Sequence, residues 1–154
     1  MNRAPGWLEA LLRQLEAEAP ADALLLAPPA HPLAATLRAR LPACEWTGAA
    51  PDALPARRFA LAIAVATLEA LPADAARALL ARLRDFEARH VLLWLELSRA
   101  PLGETDLRAL GFRLHARDAD AALFGFDLYD YKERPEWLSP DRWAHPELWD
   151  KFRW

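Results

Sequence analysis

The stretch "RRFALAIAVATLEALPADAARALLARLRDFEARHVLLWL", residues 57–95, sets two continuous apolar runs on either side of one amphipathic segment. The runs at 59–65 and 91–95 are typical of strands buried on both faces of a parallel sheet, and the second predicted strand extends to residue 97. The segment at 71–90 predicts a helix that begins near Pro72. Strand, helix and strand in this order indicate an α/β protein with a parallel sheet. The buried face of the helix is expected to carry Ala76, Leu79, Leu80, Leu83 and Phe86.

The chain before this stretch predicts the same kind of alternation. The segment "GWLEALLRQLEAEA" (6–19) has helical spacing and ends before Pro20, and "DALLLA" (22–27) predicts a second buried strand. Pro32 suits the first position of a further helix, and "CEWTG" (44–48) predicts a weaker strand. The apolar stripes of the two helices are Trp7, Leu8, Leu11, Leu12 and Leu15 in the first, and Leu33, Leu37 and Leu41 in the second.

Downstream of the stretch, the pattern changes from parallel to antiparallel pairing. Thr105 is expected to cap a short helix that Gly111 closes. The alternating segments at 112–117 and 122–132, separated by 118–120, predict an antiparallel hairpin. We therefore expect three αβα layers around a mostly parallel sheet, with a C-terminal antiparallel hairpin at one edge.

The 154 residues are expected to form a single domain, because this length suits one hydrophobic core. The domain is expected to consist of an N-terminal helix at 1–20, a core containing the sheet at 21–132, and an extension rich in tryptophan and proline at 133–154.

Composition and charge argue against several classes of function. The formal net charge of −3 does not supply the concentrated basic surface that nucleic-acid binding needs. Cys44 is the only cysteine and the sequence has no HExxH or CxxC motif, so we expect no internal disulfide and no metal site. The longest apolar run, at 59–66, is too short to cross a bilayer, and charged residues interrupt the N-terminal segment. The cytoplasm is the expected compartment.

The stretch at 57–95, together with "LRALGFRLHARDADAALFGFDLYDYK" (107–132), resembles the second half of a class I S-adenosylmethionine-dependent methyltransferase. In that family a strand, a long helix and a strand are followed by a short helix with a Leu-Gly-Phe exit and a closing hairpin. The resemblance covers about residues 20–132 and implies a Rossmann-like fold. It also implies a ligand crevice at the carboxyl ends of the parallel strands. The tryptophan-rich end is similar to that of a small uncharacterised proteobacterial family.

Three cofactor-side features of the methyltransferase family are missing or displaced. The family's first strand ends in an acidic, glycine-rich motif, whereas here it runs into Pro28, Pro29 and Pro32, which have no N–H to offer a ligand. The family's second strand ends in an acid that holds the ribose hydroxyls, and Glu45 is the candidate for that role. The family's next strand begins with Asp after Phe, whereas here Ala60 follows Phe59. In addition, a strand–helix unit is missing between residues 48 and 58.

Candidate residues for the crevice come from the predicted strands and the loops that follow them. His31 is either a general base or ligand contact, since imidazole titrates near neutrality, or an exposed loop histidine beside prolines. Glu69 is either a substrate-facing residue or a solvated acid close to the start of a helix. The full set of candidates is Pro28, His31, Glu45, Thr67, Glu69, Glu96 and Arg99.

The extension at 133–154 holds four of the chain's 7 tryptophans. Tryptophan offers a large apolar face and one N–H, and it anchors both cores and interfaces. The extension therefore either seals the domain's own surface or forms an interface with a protein partner or a second copy of the chain. Its candidate anchors are Trp137, Trp143, Trp149 and Trp154.

Two functions remain open at this point. The first is a non-catalytic, methyltransferase-like protein that acts by protein–protein interaction, with no catalytic residue and no cofactor. The alternative is an S-adenosylmethionine-dependent methyltransferase, or another enzyme that binds a small molecule in the same crevice. Neither nucleic acid nor a membrane is an expected partner.

Overall fold

The structure is a computed structural model that describes residues 6–128 of the chain. Ten helices and strands alternate along these residues, together with a 3-10 turn at Leu68–Ala70 and a π-helical turn at Leu83–Glu87. The elements are α1 (Gly6–Glu18), β1 (Asp22–Leu26), α2 (Pro32–Arg40), β2 (Glu45–Gly48), β3 (Phe59–Val65), α3 (Ala73–Arg82), β4 (Ala88–Glu96), α4 (Glu104–Ala109), β5 (Arg113–Asp118) and β6 (Ala121–Asp127).

The six strands form one sheet in the order β2-β1-β3-β4-β6-β5. The first four strands in this order are parallel, whereas β6 runs antiparallel to both β4 and β5. This confirms the predicted mixed sheet with a C-terminal hairpin at one edge. The predicted second hairpin strand reached residue 132, and its last part lies outside the described residues.

Apolar side chains fill both faces of the sheet, which confirms the predicted three layers. Along β1, Ala23 and Leu25 pack with α1 and α2, while Leu24 and Leu26 join the cluster that holds α3 and α4. This alternation follows from the two-residue period of a strand. The described helices include none that is long and apolar enough to span a bilayer.

The loop at 49–58 carries the chain from the edge strand β2 past β1 to β3, on the other side of β1. No helix or strand lies in this loop, so the sequence-based expectation of a missing strand–helix unit is confirmed. The strand order therefore reverses at β1, which is the arrangement that leaves a crevice above the sheet.

The end of the long helix differs from the sequence prediction. The predicted helix ran to residue 90, but α3 ends at Arg82 and is followed by the π-helical turn, and β4 begins at Ala88. A π-helical turn contains more residues than an α-helical one, so it rotates the side chains that follow it. Phe86, predicted on the buried face, is consequently 72% exposed, and Glu87 is buried instead. The Glu87 carboxylate pairs with Arg82 Nε at 3.0 Å.

The short helix α4 begins earlier than predicted. Its N-cap is Gly103, whose N–H donates to Asp106 Oδ2 at 3.1 Å, so the prediction that Thr105 is the cap is wrong. An acid at the third helical position can satisfy the N-cap amide, and this interaction moves the start of the helix. Gly111 closes the helix with φ +93°, as predicted.

The outer hairpin has one close approach between a ring and the backbone. A β-bulge between Leu114 and Ala116 interrupts the pairing of β5 with β6. An ideal Cβ built on Gly125 would lie 2.5 Å from His115 Cε1, so only glycine leaves room for the ring. Burial lowers the pKa of His115 below its ordinary value of 6.5, with smaller contributions from His90 and Arg113.

We expect Gly125→Ala to destabilise the protein by about 1 to 3 kcal/mol, because the new methyl group overlaps the His115 ring. Urea unfolding checks this value. The double variant Gly125→Ala, His115→Ala removes the overlap, and its stability should be close to that of His115→Ala alone. Additive losses in the double variant would contradict the steric explanation.

The lowered pKa of His115 predicts a pH dependence of stability. The unfolded chain takes up the proton near pH 6.5, whereas the folded chain resists it, so stability is full above this pH. Stability is then lost as the pH falls through the lower folded pKa. His115→Gln should show a smaller loss of unfolding free energy between about pH 7 and pH 5 than the parent chain, measured by urea titration at each pH. Equal losses would contradict the prediction.

Candidate functional site

A cavity of about 370 Å³ lies at the carboxyl ends of the central parallel strands. Its residues come from the turn after β1, the turn after β3 and the end of β4 and its following loop. This is the place where the strand order reverses, and open α/β sheets bind their ligands there. We call it the crevice; its lining residues are Pro28, His31, Ala66, Glu69, Ala70, Trp94, Glu96 and Arg99.

The turn between β1 and α2 forms one wall of the crevice. The His31 N–H donates to the Pro28 carbonyl oxygen at 3.2 Å, which closes a four-residue turn. Ala30 has φ +60°, a left-handed conformation that costs a residue with a Cβ roughly 1 kcal/mol. The turn therefore uses an alanine where glycine would be unstrained. Pro28 and Pro29 have no N–H, so this wall offers a ligand few backbone donors.

His31 is the N-cap of α2, with Pro32 at the first helical position. Its Nδ1 accepts from the Leu33 N–H at 3.2 Å, which requires the proton of the neutral ring to lie on Nε2. The ring is half-buried and meets the Trp94 ring edge-on, with 5.5 Å between centroids. His31 is therefore a structural cap that also lines the crevice, and the interpretation as an exposed loop histidine is wrong.

Glu69 lies in the 3-10 turn after β3. Its Oε1 accepts from the Glu96 N–H at 2.8 Å, which holds the carboxylate against the end of β4. Its Oε2 is buried and has no hydrogen-bond partner within residues 6–128. An unpaired buried acceptor costs roughly 1 to 3 kcal/mol, and more when it is charged. The alternative of a solvated acid at a helix start does not describe this carboxylate.

Trp94 contributes the second unpaired polar atom of the crevice. Its Nε1 is buried without a hydrogen-bond partner in the described part of the chain, although indole N–H groups usually find one when buried. Trp94 was expected only as part of a buried strand and not as a residue of the site. The alternation of side chains along a strand could have predicted that Trp94 lines the crevice, because residues 94 and 96 lie on the same face of β4 and Glu96 was already a candidate.

The charges of the crevice do not balance. Glu96 Oε2 pairs with Arg99 Nη1 at 3.3 Å, and Arg99 is exposed. The Glu69 carboxylate has no cationic partner among the described residues that line the crevice. One negative charge is therefore left over at the partly buried end of the site.

Two predicted residues lie elsewhere. Thr67 is buried, and its hydroxyl is 3.0 Å from the Leu26 carbonyl oxygen, so it joins the ends of β1 and β3 instead of lining the cavity. Glu45 is the first residue of β2 and pairs in register with Asp22, so it lies at the amino ends of the strands. The expectation that Glu45 lies at the crevice is wrong, because β2 begins at this residue, whereas the crevice lies at the carboxyl ends of the strands.

A positive charge lies beside the carboxyl end of β2, where an acid was expected. The strand ends at Gly48, and an ideal Cβ on this residue would lie 3.7 Å from Arg38 Nη2. A smaller cavity of about 210 Å³ adjoins both residues and shares Pro28 and His31 with the crevice. A guanidinium therefore occupies the neighbourhood in which a ribose-binding acid was expected.

Metal binding finds no support in the part of the chain that the structure describes. Residues 6–128 contain no group of three or more side chains suited to hold a metal ion. The candidate anchors of the extension, Trp137, Trp143, Trp149 and Trp154, lie outside the described residues.

Comparisons with known proteins agree on the fold. A model of the family of unknown function DUF6231 matches residues 6–154, whereas no curated protein matches the sequence. The solved methyltransferase domain of bacterial CtHen1 is 9% identical, with a TM-score of 0.55 over 79% of this chain and 97% of that chain.

Two structures with bound ligands are similar to the chain. Magnesium protoporphyrin IX methyltransferase from Synechocystis PCC 6803 with bound S-adenosylmethionine is 14% identical, with a TM-score of 0.52 over 77% of this chain and 76% of that one. N-methyltransferase NodS from Bradyrhizobium japonicum WM9, in complex with S-adenosylhomocysteine, is 12% identical, with a TM-score of 0.54 over 80% and 88%. The Rossmann-like fold of class I methyltransferases is thus confirmed.

We expect His31→Ala to destabilise the protein by about 1 kcal/mol, because α2 loses its N-cap acceptor. His31→Asn keeps an acceptor at the cap position, so its stability should stay close to that of the parent chain. Thermal unfolding of the two variants checks this difference. Equal destabilisation would mean that the ring contact with Trp94, and not the cap, carries the effect.

Proposed function

This chain belongs to the DUF6231 family, whose function is unknown. From the crevice we propose that the protein binds a small molecule that carries a positive charge, and that the Glu69 carboxylate binds the charged group of this ligand. The observation that carries the proposal is the Glu69 carboxylate in the crevice, which has one buried oxygen without a hydrogen-bond partner among the described residues. The protein spends stability on keeping this charge partly buried, and a bound cation would recover it.

The geometry around Glu69 favours a cation that also donates hydrogen bonds. The Glu96 N–H already satisfies Oε1, so a ligand ammonium or similar donor is needed only at Oε2. The rings of Trp94 and His31 form an aromatic wall beside it. A cation gains further stabilisation from the face of a tryptophan. Arg99, at the exposed rim, suits an anionic group on the same molecule.

The size of the crevice supports a small-molecule ligand. Its volume of about 370 Å³ lies near the lower end of the range, roughly 300 to 1,000 Å³, found for small-molecule sites. The crevice combines an aromatic wall with a few polar groups, as such sites do.

S-Adenosylmethionine is the first ligand to consider, because proteins of similar fold bind it or its demethylated product. Its ammonium and sulfonium groups fit the Glu69 side of the crevice. Its nucleoside does not fit the β1–β2 side in the way expected for a class I methyltransferase. The turn there is rich in proline, and Arg38 lies where a ribose-binding acid was expected. We therefore propose binding of a cationic small molecule and assign no methyl-transfer step.

The second candidate is a non-catalytic, methyltransferase-like protein that acts through a protein partner. The turn at 28–31 favours it, because its prolines and its internal hydrogen bond remove most of the N–H groups that a cofactor would use. Ligand binding distinguishes the two candidates, because only the first requires a molecule in the crevice.

We expect calorimetry to detect micromolar binding of S-adenosylmethionine. Glu69→Gln should weaken it by at least about tenfold, because the amide keeps the hydrogen bond to Glu96 but removes the charge. The matched control is Glu45→Gln, which removes an acid at the amino ends of the strands, away from the crevice, and should leave the affinity unchanged. S-Adenosylhomocysteine, which lacks the sulfonium charge, is the second probe.

Failure to bind either probe would remove S-adenosylmethionine as the ligand and favour the partner-binding candidate. Equal affinity of the parent chain and Glu69→Gln would contradict the role of the Glu69 charge. A loss of binding in Glu45→Gln would show that the ligand does not occupy the crevice.

A further inference from the structure

The smaller cavity next to the crevice, of about 210 Å³, lies between one side of α2 and the end of β2. Ala34 and Ala35 of the helix line it on one side, and Gly48 and Ala49 line it on the other. Among the described residues that line it, Arg38 is the only one with a permanent charge. We call it the Arg38 cavity. It has an excess positive charge, whereas the crevice has an excess negative one.

The Arg38 guanidinium is available to a ligand. It lies beside the end of β2, because Nη2 is 3.7 Å from the ideal Cβ position on Gly48. In the described part of the chain, no carboxylate pairs with Arg38 and no hydrogen bond holds it. Arg40, two residues further along α2, instead pairs with Glu16 at 2.8 Å and with Glu9 at 3.3 Å. Of these two arginines of α2, Arg38 is thus the one whose charge is not balanced.

The backbone of α2 offers the Arg38 cavity few other donors. Pro32 has no N–H, and the Leu33 N–H donates to His31 Nδ1 at 3.2 Å. The Ala34 N–H donates to the His31 carbonyl oxygen at 3.1 Å. An anion in this cavity therefore depends on the Arg38 guanidinium, which can bind a carboxylate or a phosphate with two parallel hydrogen bonds. In dinucleotide-binding sheets an arginine accommodates a phosphate where an acid otherwise holds the ribose hydroxyls.

The Arg38 cavity and the crevice meet at the turn between β1 and α2. Pro28 and His31 line both cavities, and neither carries a permanent charge. Glu69 is bonded to the end of β4, and Arg38 lies at the end of β2, three strand spacings away in the sheet. At about 4.8 Å for each spacing, the two strand ends are about 14 Å apart. The two charges are therefore too far apart to neutralise each other directly.

We propose that the Arg38 cavity binds an oxyanion, a phosphate or a carboxylate, of the same molecule whose cationic group binds Glu69. The ligand class is an extended zwitterion with an uncharged spacer on the order of 10 Å long. The oxyanion site follows from Arg38, whereas the assignment of both groups to one molecule rests on the proposed function. S-Adenosylmethionine has no oxyanion on its nucleoside, so it complements only the Glu69 half of this arrangement.

Calorimetry on the full chain with three probes tests the proposal. 6-Aminohexyl phosphate carries both charges, about 9 Å apart when extended, because three chain bonds span about 3.5 Å. A hydrogen bond of about 2.8 Å at each end extends its reach to about 14 Å. Hexylamine carries only the cation, and hexyl phosphate carries only the oxyanion. We expect 6-aminohexyl phosphate to bind at least about tenfold more tightly than either of the other two probes, because its groups are linked.

Arg38→Gln separates the contributions of the two charges. It should weaken the binding of 6-aminohexyl phosphate at least about tenfold, abolish that of hexyl phosphate and leave that of hexylamine unchanged, because only the oxyanion loses its partner. Arg38 is exposed, so the variant is expected to fold. The matched control is Arg58→Gln, which removes an exposed arginine next to the amino end of β3. It should leave all three affinities unchanged.

The outcomes separate this proposal from the proposed function. Equal affinity of the parent chain and Arg38→Gln for 6-aminohexyl phosphate would overturn the oxyanion site, and so would failure of both phosphate probes to bind. Hexylamine binding that Glu69→Gln weakens would leave the proposed function intact in either case. If hexylamine does not bind while Arg38→Gln abolishes hexyl phosphate binding, the oxyanion site stands and the cation at Glu69 is contradicted. Equal losses in Arg38→Gln and Arg58→Gln would mean that the phosphate responds to net charge only, which would also overturn the site.

Discussion

The burial of β3 on both faces and along both edges is the constraint on which the rest of the structure depends. From Leu61 to Val65 every residue of this strand is buried, so neither face can meet solvent. Its backbone groups must pair with β1 on one side and β4 on the other, because unpaired backbone groups inside a protein are costly. Helices must then cover both faces, and the two apolar clusters above and below the sheet are the result.

The same constraint creates the crevice. Since α2 leaves β1 towards one face and α3 leaves β3 towards the other, the turns that follow these two strands diverge. The gap between them lies over the carboxyl ends of the strands, and Thr67 ties those ends together beneath it. The scaffold thus determines where a ligand can lie, whereas the residues of the two turns determine which chemistry it meets.

The elements that the sequence predicted well are those that depend on local interactions. The apolar runs of β1 and β3, the start of α2 at Pro32 and the closure of α4 at Gly111 each follow from a few neighbouring residues. The π-helical turn could not be predicted, because the core rather than local propensity decides whether Phe86 or Glu87 is buried. The position of Glu69 beside the end of β4 could not be predicted either. It depends on the hydrogen bond that the Glu96 N–H donates to Glu69, and these residues are 27 positions apart.

The fold is retained at identities between 9% and 14% because buried strands require volume and apolarity and not particular residues. Ligand binding in a crevice, in contrast, requires particular chemical groups. A turn with glycine recognises a ligand through its backbone, and this mode of recognition tolerates changes in side chains. Prolines have no such N–H groups to offer, so the ligand binding proposed above has to rely on side chains such as Glu69 and Trp94. Under the proposed function, ligand specificity therefore depends on a few side chains at the ends of β3 and β4, and single substitutions there would change it without disturbing the sheet.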